Sequence, residues 1–260
     1  MDIVKQNSNA WDKKVKEGAI YTKEVSKEII DKAKTGEWSI TVTTNKTVPR
    51  EWLPKSLEGL KVLCLASGGG QQAPVLAAAG ADVTVTDISR NQLDKDEFVA
   101  RRDGLNIKTV QGDMSDLSEF QSEEFDIIVH PVSNLFVEDV RPVWREASRV
   151  LKTNGIMISG FTNPLLFIFD DVEDMKGNLV VKNSIPSCSL DNLTEVQVKK
   201  YIEDNHTIEF GHTLEDQIQG QIDAGFIIIG LYEDDFGGSR PLDKYISCFI
   251  ATKSIKLKTI

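Results

Sequence analysis

Three consecutive glycines stand directly after an apolar run: Lys61-Val62-Leu63-Cys64-Leu65-Ala66-Ser67-Gly68-Gly69-Gly70-Gln71-Gln72. Glycine loses more conformational freedom on folding than any other residue, so three in a row mark a place where backbone must pass close to something. The run Lys61–Ala66 reads as a strand. Gln72–Ala79 reads as a short helix, with Pro74 in its first turn and Gly80 beyond its end. A strand, a glycine turn and a helix in that order begin a parallel α/β sheet. The ligand served by the turn could be a phosphate, a dinucleotide or a nucleoside without phosphates.

The rest of the chain keeps that rhythm. Asp82–Thr86, Asn106–Gln111, Phe125–His130 and Gly155–Gly160 read as further strands. A helix opens at Ser89, where Ser89-x-x-Gln92 fits a capping box, and another spans Val140–Leu151. The alternation predicts a doubly wound, mostly parallel sheet. Near the end a helix from Thr213 to Gly225 leads into Phe226–Tyr232, and Tyr245–Thr252 returns with no helix between, which predicts an antiparallel last strand. Residues 162–211 are too many for a simple loop and read as an insertion over the mouth of the site. Before the sheet, Thr22–Lys34 has helical spacing of Val25, Ile29, Ile30 and Ala33, and Trp38–Thr44 reads as a strand or an extended lid. The expected division is a lid segment 1–54 and a main domain 55–260.

Charge and cysteine content narrow the functional classes. The chain has 260 residues, and its 30 basic against 40 acidic side chains give a net charge of −10. That balance argues against a broad nucleic-acid footprint, leaving only small basic clusters at Lys199-Lys200 and Lys253–Lys258. Cys64, Cys188 and Cys248 share no metal-ligand spacing and are read as reduced; the three histidines lack a metal spacing too, so no metal site is expected. The first residues lack an apolar signal core, and no apolar run is long enough to span a bilayer. The expectation is a cytoplasmic protein without a membrane partner.

Gly68-x-Gly70-x-x-Ala73 fits a dinucleotide fingerprint but is weak alone, since a glycine can serve only the tight turn. Asp87 strengthens it, because an acid ending the second strand can accept both hydroxyls of a ribose; the plain alternative is a solvated loop aspartate or a helix cap. A NAD enzyme and a methyl-transfer enzyme would share these features. Gly112-Asp113-Met114 places a second carboxylate at the same sheet edge, where it can accept from an adenine amino group. There is no Tyr-x-x-x-Lys pair for hydride chemistry and no P-loop Gly-Lys-Ser/Thr.

In this order the stretches VLCLASGGG, VTVTDIS, VQGDM, FDIIVHPVSN and RVLKTNGIMISG resemble the class I S-adenosylmethionine-dependent methyltransferases, closest to the bacterial type 11 group. The resemblance covers about residues 55–160, with HTLEDQIQGQIDAGF similar to small-molecule members. It implies a Rossmann-like seven-stranded sheet and S-adenosyl-L-methionine as cofactor. Ala66, Ser67, Gly68 and Gly70 would line its methionine and ribose side. Asp87 would hold the ribose hydroxyls with Ile88 against the adenine, and Gly112, Asp113 and Met114 would flank the ring. His130, Pro131 and Val132 would face the sulfonium or the acceptor. Two positions depart from the family pattern: Cys64 stands where an acid is usual, and Ala66 where a glycine is usual.

Methyl transfer is a direct displacement that needs alignment, and a base only if the acceptor must lose a proton. His130, at a strand's carboxyl end, is the candidate base, set against a histidine that merely bonds a loop. Ser133 and Asn134 could orient a polar substrate or simply make a turn. Tyr21, Arg50 and Trp52 are candidate acceptor contacts, against packing of the N-terminal segment onto the sheet. The leading expectation is transfer to a small-molecule acceptor. The alternatives are tRNA or protein methylation, and a regulator that binds the cofactor without turnover.

Overall fold

A computed structural model describes residues 1–257; Lys258, last of the tail lysines, lies outside the described residues. Nine strands are β1 Lys61–Leu65, β2 Asp82–Asp87, β3 Ile107–Gln111, β4 Phe125–His130, β5 Leu151–Thr162, β6 Ser187–Cys188, β7 Phe210–Gly211, β8 Phe226–Asp234 and β9 Phe249–Lys256. Seven of them form one sheet in the order β3-β2-β1-β4-β5-β9-β8, and β6 pairs with β7 separately. β1 to β5 are parallel; β9 runs antiparallel to both of its neighbours, β5 and β8. The order reverses at β1, between β2 and β4. Open α/β sheets bind ligands at the carboxyl ends of strands beside such a switch point.

The helices are α1 Ile3–Lys16, α2 Lys27–Lys34, α3 Gln72–Ala78, α4 Arg90–Asp103, α5 Arg141–Val150, α6 Leu165–Ile168, α7 Asp171–Asp174, α8 Glu195–Glu203 and α9 Gly220–Asp223. Alternation of strand residues divides the core. Val62, Cys64, Val83, Val85, Ile127 and Val129 face one side, under Ile30 of α2, Leu76 of α3 and Leu93 and Val99 of α4. Leu63, Leu65, Ile128 and Met157 face the other, under Val143, Trp144 and Ala147 of α5. Cys64 pairs in register with Val85 and Val129, at the centre of the first face.

Several boundaries differ from the sequence reading. Ser26 caps α2 through its hydroxyl, so the helix expected over 22–34 starts at Lys27, and residues 20–22 form a separate 3₁₀ turn. The stretch expected as a helix over 213–225 is a π-helical turn at Glu215–Gln219 followed by α9. There the glycine is required for close packing, since a Cβ on Gly220 would lie 2.7 Å from Trp144 Cδ1. The last strand begins at Phe249, because Pro241–Lys244 closes a 3₁₀ turn that carries the chain to Tyr245. Trp38–Thr44 forms no strand; its one ladder contact is the isolated bridge of Thr41 with Thr47.

The N-terminal residues reach across the carboxyl edge of the sheet. Ser8 Oγ donates to Ile88 O at 2.9 Å, and Asp12 Oδ1 accepts from Ser89 Oγ at 2.6 Å. Val25 N donates to Gly70 O at 2.9 Å, and Gln72 Nε2 donates to Thr41 O at 3.1 Å. Val42 O accepts from Val132 N at 3.0 Å and lies over Gly160, where any Cβ would meet it at 2.0 Å. Among the described residues no helix is long and apolar enough to cross a membrane.

Candidate functional site at the carboxyl edge

The loop after β1 is built with its amides turned inward. Gly68 N donates to Asp87 Oδ2 and Gly69 N to Asp96 Oδ2, each at 3.0 Å. Gly69 and Gly70 have φ of +121° and +72°, which a side chain would strain. A Cβ on Gly68 would lie 2.8 Å from Gln92 Cβ, so this position too has no room. Ala66, where the family usually has glycine, sits at φ +47°, a left-handed conformation held against its own preference.

This arrangement settles the question raised by the glycines. A phosphate cradle needs free amides aimed at the ligand. Here those amides are taken by two carboxyls of the protein itself. Asp87 also brings negative charge to the edge, which suits a neutral or cationic ligand over a phosphate.

Asp87 is buried at the end of β2, its Oδ1 accepting from Ser89 N at 2.9 Å while Oδ2 serves Gly68. Burial pushes its carboxyl up to about 6, opposed by those two amides. The Asp87 carbonyl accepts from Gly112 N at 3.1 Å, which ties the β3 loop beside it. Ile88 is half-buried next to them, its carbonyl also accepting from Gln111 Nε2 at 2.9 Å. Asp113 Oδ1 accepts from Ser115 N at 2.9 Å and so folds its own turn. Met114 is turned into the core with Leu65 and Phe125, so it supports the loop from beneath rather than flanking a ring. Ser67 is buried, its N bonded to Thr86 O and its Oγ donating to Gln72 Oε1.

The histidine expected as a base is held differently. His130 is 0% exposed, with Nδ1 2.9 Å from Leu65 O and Nε2 2.7 Å from Asn134 Oδ1. Both ring nitrogens are occupied, and burial lowers its pKa below the usual histidine value. With no open nitrogen, His130 is a positioning residue that fastens β4 to β1. Asn134 continues the chain inward, bonding Gln217 through its side chain and His212 Nε2 through its carbonyl, each buried. Ser133 Oγ donates to Pro131 O at 2.7 Å, closing the turn. Pro131 and Val132 remain half-buried at the edge.

The N-terminal candidates divide. Tyr21 is half-exposed, and its carbonyl would lie 3.2 Å from a Cβ on Gly69, so its 3₁₀ turn lies against the glycine loop. Arg50 and Trp52 are elsewhere. Arg50 donates to the carbonyls of Leu53, Pro54 and Lys55 and stacks on Trp38, while Trp52 packs on Tyr232 and Gly230 of β8, four strands from β1. Neither is brought to the glycine loop. Asp96 escaped the sequence reading, although one acid on the apolar face Leu93, Asp96, Val99, Ala100 of a helix was a visible signal.

The methyltransferase-domain family profile matches residues 63–159. Across 255 residues the chain is 58% identical to the Bacillus subtilis (strain 168) protein named uncharacterized methyltransferase YbaJ, covering 98% of this chain and 99% of that one. The chain belongs to the class I S-adenosylmethionine-dependent methyltransferases. This methyltransferase is also 29% identical over 112 residues to a ubiquinone biosynthesis O-methyltransferase of Pelagibacter ubique (strain HTCC1062), covering 43% of this chain and 46% of that one. Its fold matches the crystal structure of an S-adenosylmethionine-dependent methyltransferase from Mesorhizobium loti, with TM-score 0.60 at 17% identity over 80% of this chain and 95% of that one. The residues present fit the cofactor: an acid ends β2 where a ribose diol would sit, and the inward amides and buried carboxyls favour a phosphate-free, positively charged nucleoside. When bound, S-adenosylmethionine supplies an electrophilic methyl group.

Proposed function

We propose that this methyltransferase transfers a methyl group to a small-molecule acceptor by direct displacement. In this reading Asp87 holds the ribose hydroxyls, the Ala66–Gly70 backbone lies along the methionine side, and Ile88 and Asp113 border the adenine. Pro131 and Val132 lie at the acceptor side. His130 keeps Leu65 and Asn134 in place and takes no proton from the acceptor.

The observation that carries the reading is the roof over the carboxyl edge. Residues 8–25 and 41–42 bond directly to the β1, β2 and β4 loops, which favours an enclosed acceptor over a bulky one. The basic clusters that would serve tRNA are paired within the protein. Lys199 and Lys200 face Glu203 and Asp204, while Lys253 donates to Glu51 O and Lys256 to Leu151 O. The O-methyltransferase name of the partial relative makes an oxygen atom the first acceptor to try.

The test is S-adenosylhomocysteine release from S-adenosylmethionine, measured with fractionated small metabolites, with bulk tRNA and with denatured protein. Turnover in a metabolite fraction is the expected outcome. Turnover with tRNA or protein alone would overturn the small-molecule reading, and none with any fraction would favour the non-catalytic regulator.

A further inference from the structure

The family pattern carries an acid on β1 where this chain has Cys64. We propose that Asp96, delivered from α4, is the buried acid of the glycine loop in this protein, supplied over the same sheet face as Cys64 and setting the loop for the cofactor. The proposal rests on the glycine loop being the cofactor site.

Four observations converge. Asp96 is 0% exposed and lies on the same sheet face as Cys64, close enough for its charge to act on the thiol. Its Oδ2 holds Gly69 N at 3.0 Å, so the side chain fixes the first of the two adjacent residues of positive φ. The Gly69 amide is shared with Gln92 O at 3.1 Å, one turn before Asp96 on the helix, so α4 grips the loop by backbone and side chain together. Finally, Asp96 Oδ1 and Gln92 Oε1 are both buried without a hydrogen-bond partner. A buried acceptor without a donor is rarely left so. A proton held on Asp96 supplies a donor at this place and removes a buried charge.

Buried acids on β1 and on the helix over the same face would repel when ionised. The chain has one of them. Cys64 is small and 0% exposed, and burial pushes its thiol well above the usual range. The other charged groups facing the Asp96 carboxyl are Asp87 at the end of β2 and, beyond it, Asp12 of α1. Lys95, its neighbour on α4, is turned away to Glu24 at 2.9 Å. Asp96 thus acts through the loop, as a positioning residue.

The experiment measures S-adenosylhomocysteine affinity by calorimetry and Gly69 amide exchange by NMR. The forms compared are wild type, Asp96→Ala, Asp96→Asn and the double variant Cys64→Asp with Asp96→Ala. Asp96→Ala is expected to weaken binding at least tenfold and to speed exchange of that amide. Asp96→Asn, whose amide oxygen keeps one acceptor, should fall between it and wild type, and it serves if the alanine variant does not fold. Restoring an acid on β1 in the double variant should recover most of the affinity. Wild-type affinity and exchange in both single variants, or further loss in the double variant, would overturn the proposal. If folded wild type binds no S-adenosylhomocysteine, the cofactor reading fails instead, and the amide exchange still decides whether Asp96 holds the loop.

Discussion

Replacing Asp96 by Asn should change how stability depends on pH. Burial pushes the Asp96 carboxyl up to about 8 from 3.8. Between those values the native state holds a proton that the unfolded chain has released, so stability falls as pH rises, by about 1.4 kcal/mol per unit. The loss tapers as pH passes the folded value, so from pH 6.5 to 8 it sums to roughly 1.5 kcal/mol. His130 acts in the opposite sense: its lowered folded pKa means that stability rises as the unfolded chain's histidine deprotonates, a change largely complete above pH 7. Glu209, raised by burial, adds to the fall. Both contributions are common to wild type and the Asn variant and cancel in their difference. Guanidinium unfolding at pH 6.5, 7.25 and 8 gives that difference directly. The Asn variant should gain on wild type by roughly 1.5 kcal/mol across the range. Parallel curves would mean that Asp96 is ionised throughout, and the argument for a protonated buried acid would be wrong.

The other perturbations separate roles. His130→Ala should destabilise the fold by about 2–4 kcal/mol in urea unfolding, because it opens a cavity and strips partners from Leu65 O and Asn134; unchanged stability with lost turnover would restore it as a base. Trp52→Ala should lower stability by about 3 kcal/mol through its contacts with Tyr232 and Gly230 while leaving the acceptor KM unchanged. Ala66→Gly relieves a left-handed alanine, so its unfolding free energy should stay level or rise by up to about 1 kcal/mol, against the loss expected at an ordinary position.

The part of this site that could be read from the sequence is the part carried by local pattern. Strands β1, β2 and β4 carry buried apolar residues toward a sheet edge marked by Gly68, Asp87 and His130, and Ser89 caps α4 as its spacing predicts. Asp87 and Gly68 were visible because motif order ties them to strand ends. What escaped depends on contacts between distant segments. No periodicity tells that Ser8 and Asp12 of a polar helix fasten the β2 loop, or that Val42 O rests on Gly160. His130 and Arg50 show the same limit: residue type suggested chemistry, while the groups they bond, Leu65 O and Asn134 in one case and three backbone carbonyls in the other, come from the fold. Asp96 was hidden because the amide it holds lies 27 residues away in the chain.

Whether the inward-turned glycine loop and Asp87 bind a phosphate-free nucleoside cofactor is decided by calorimetric titration of wild type and Asp87→Ala with S-adenosylhomocysteine, each repeated with NAD. Saturable binding of S-adenosylhomocysteine by wild type, at least tenfold weaker binding by Asp87→Ala, and none of NAD by either form are expected. Binding of NAD with S-adenosylhomocysteine excluded, or equal affinity in the two forms, would contradict this cofactor reading.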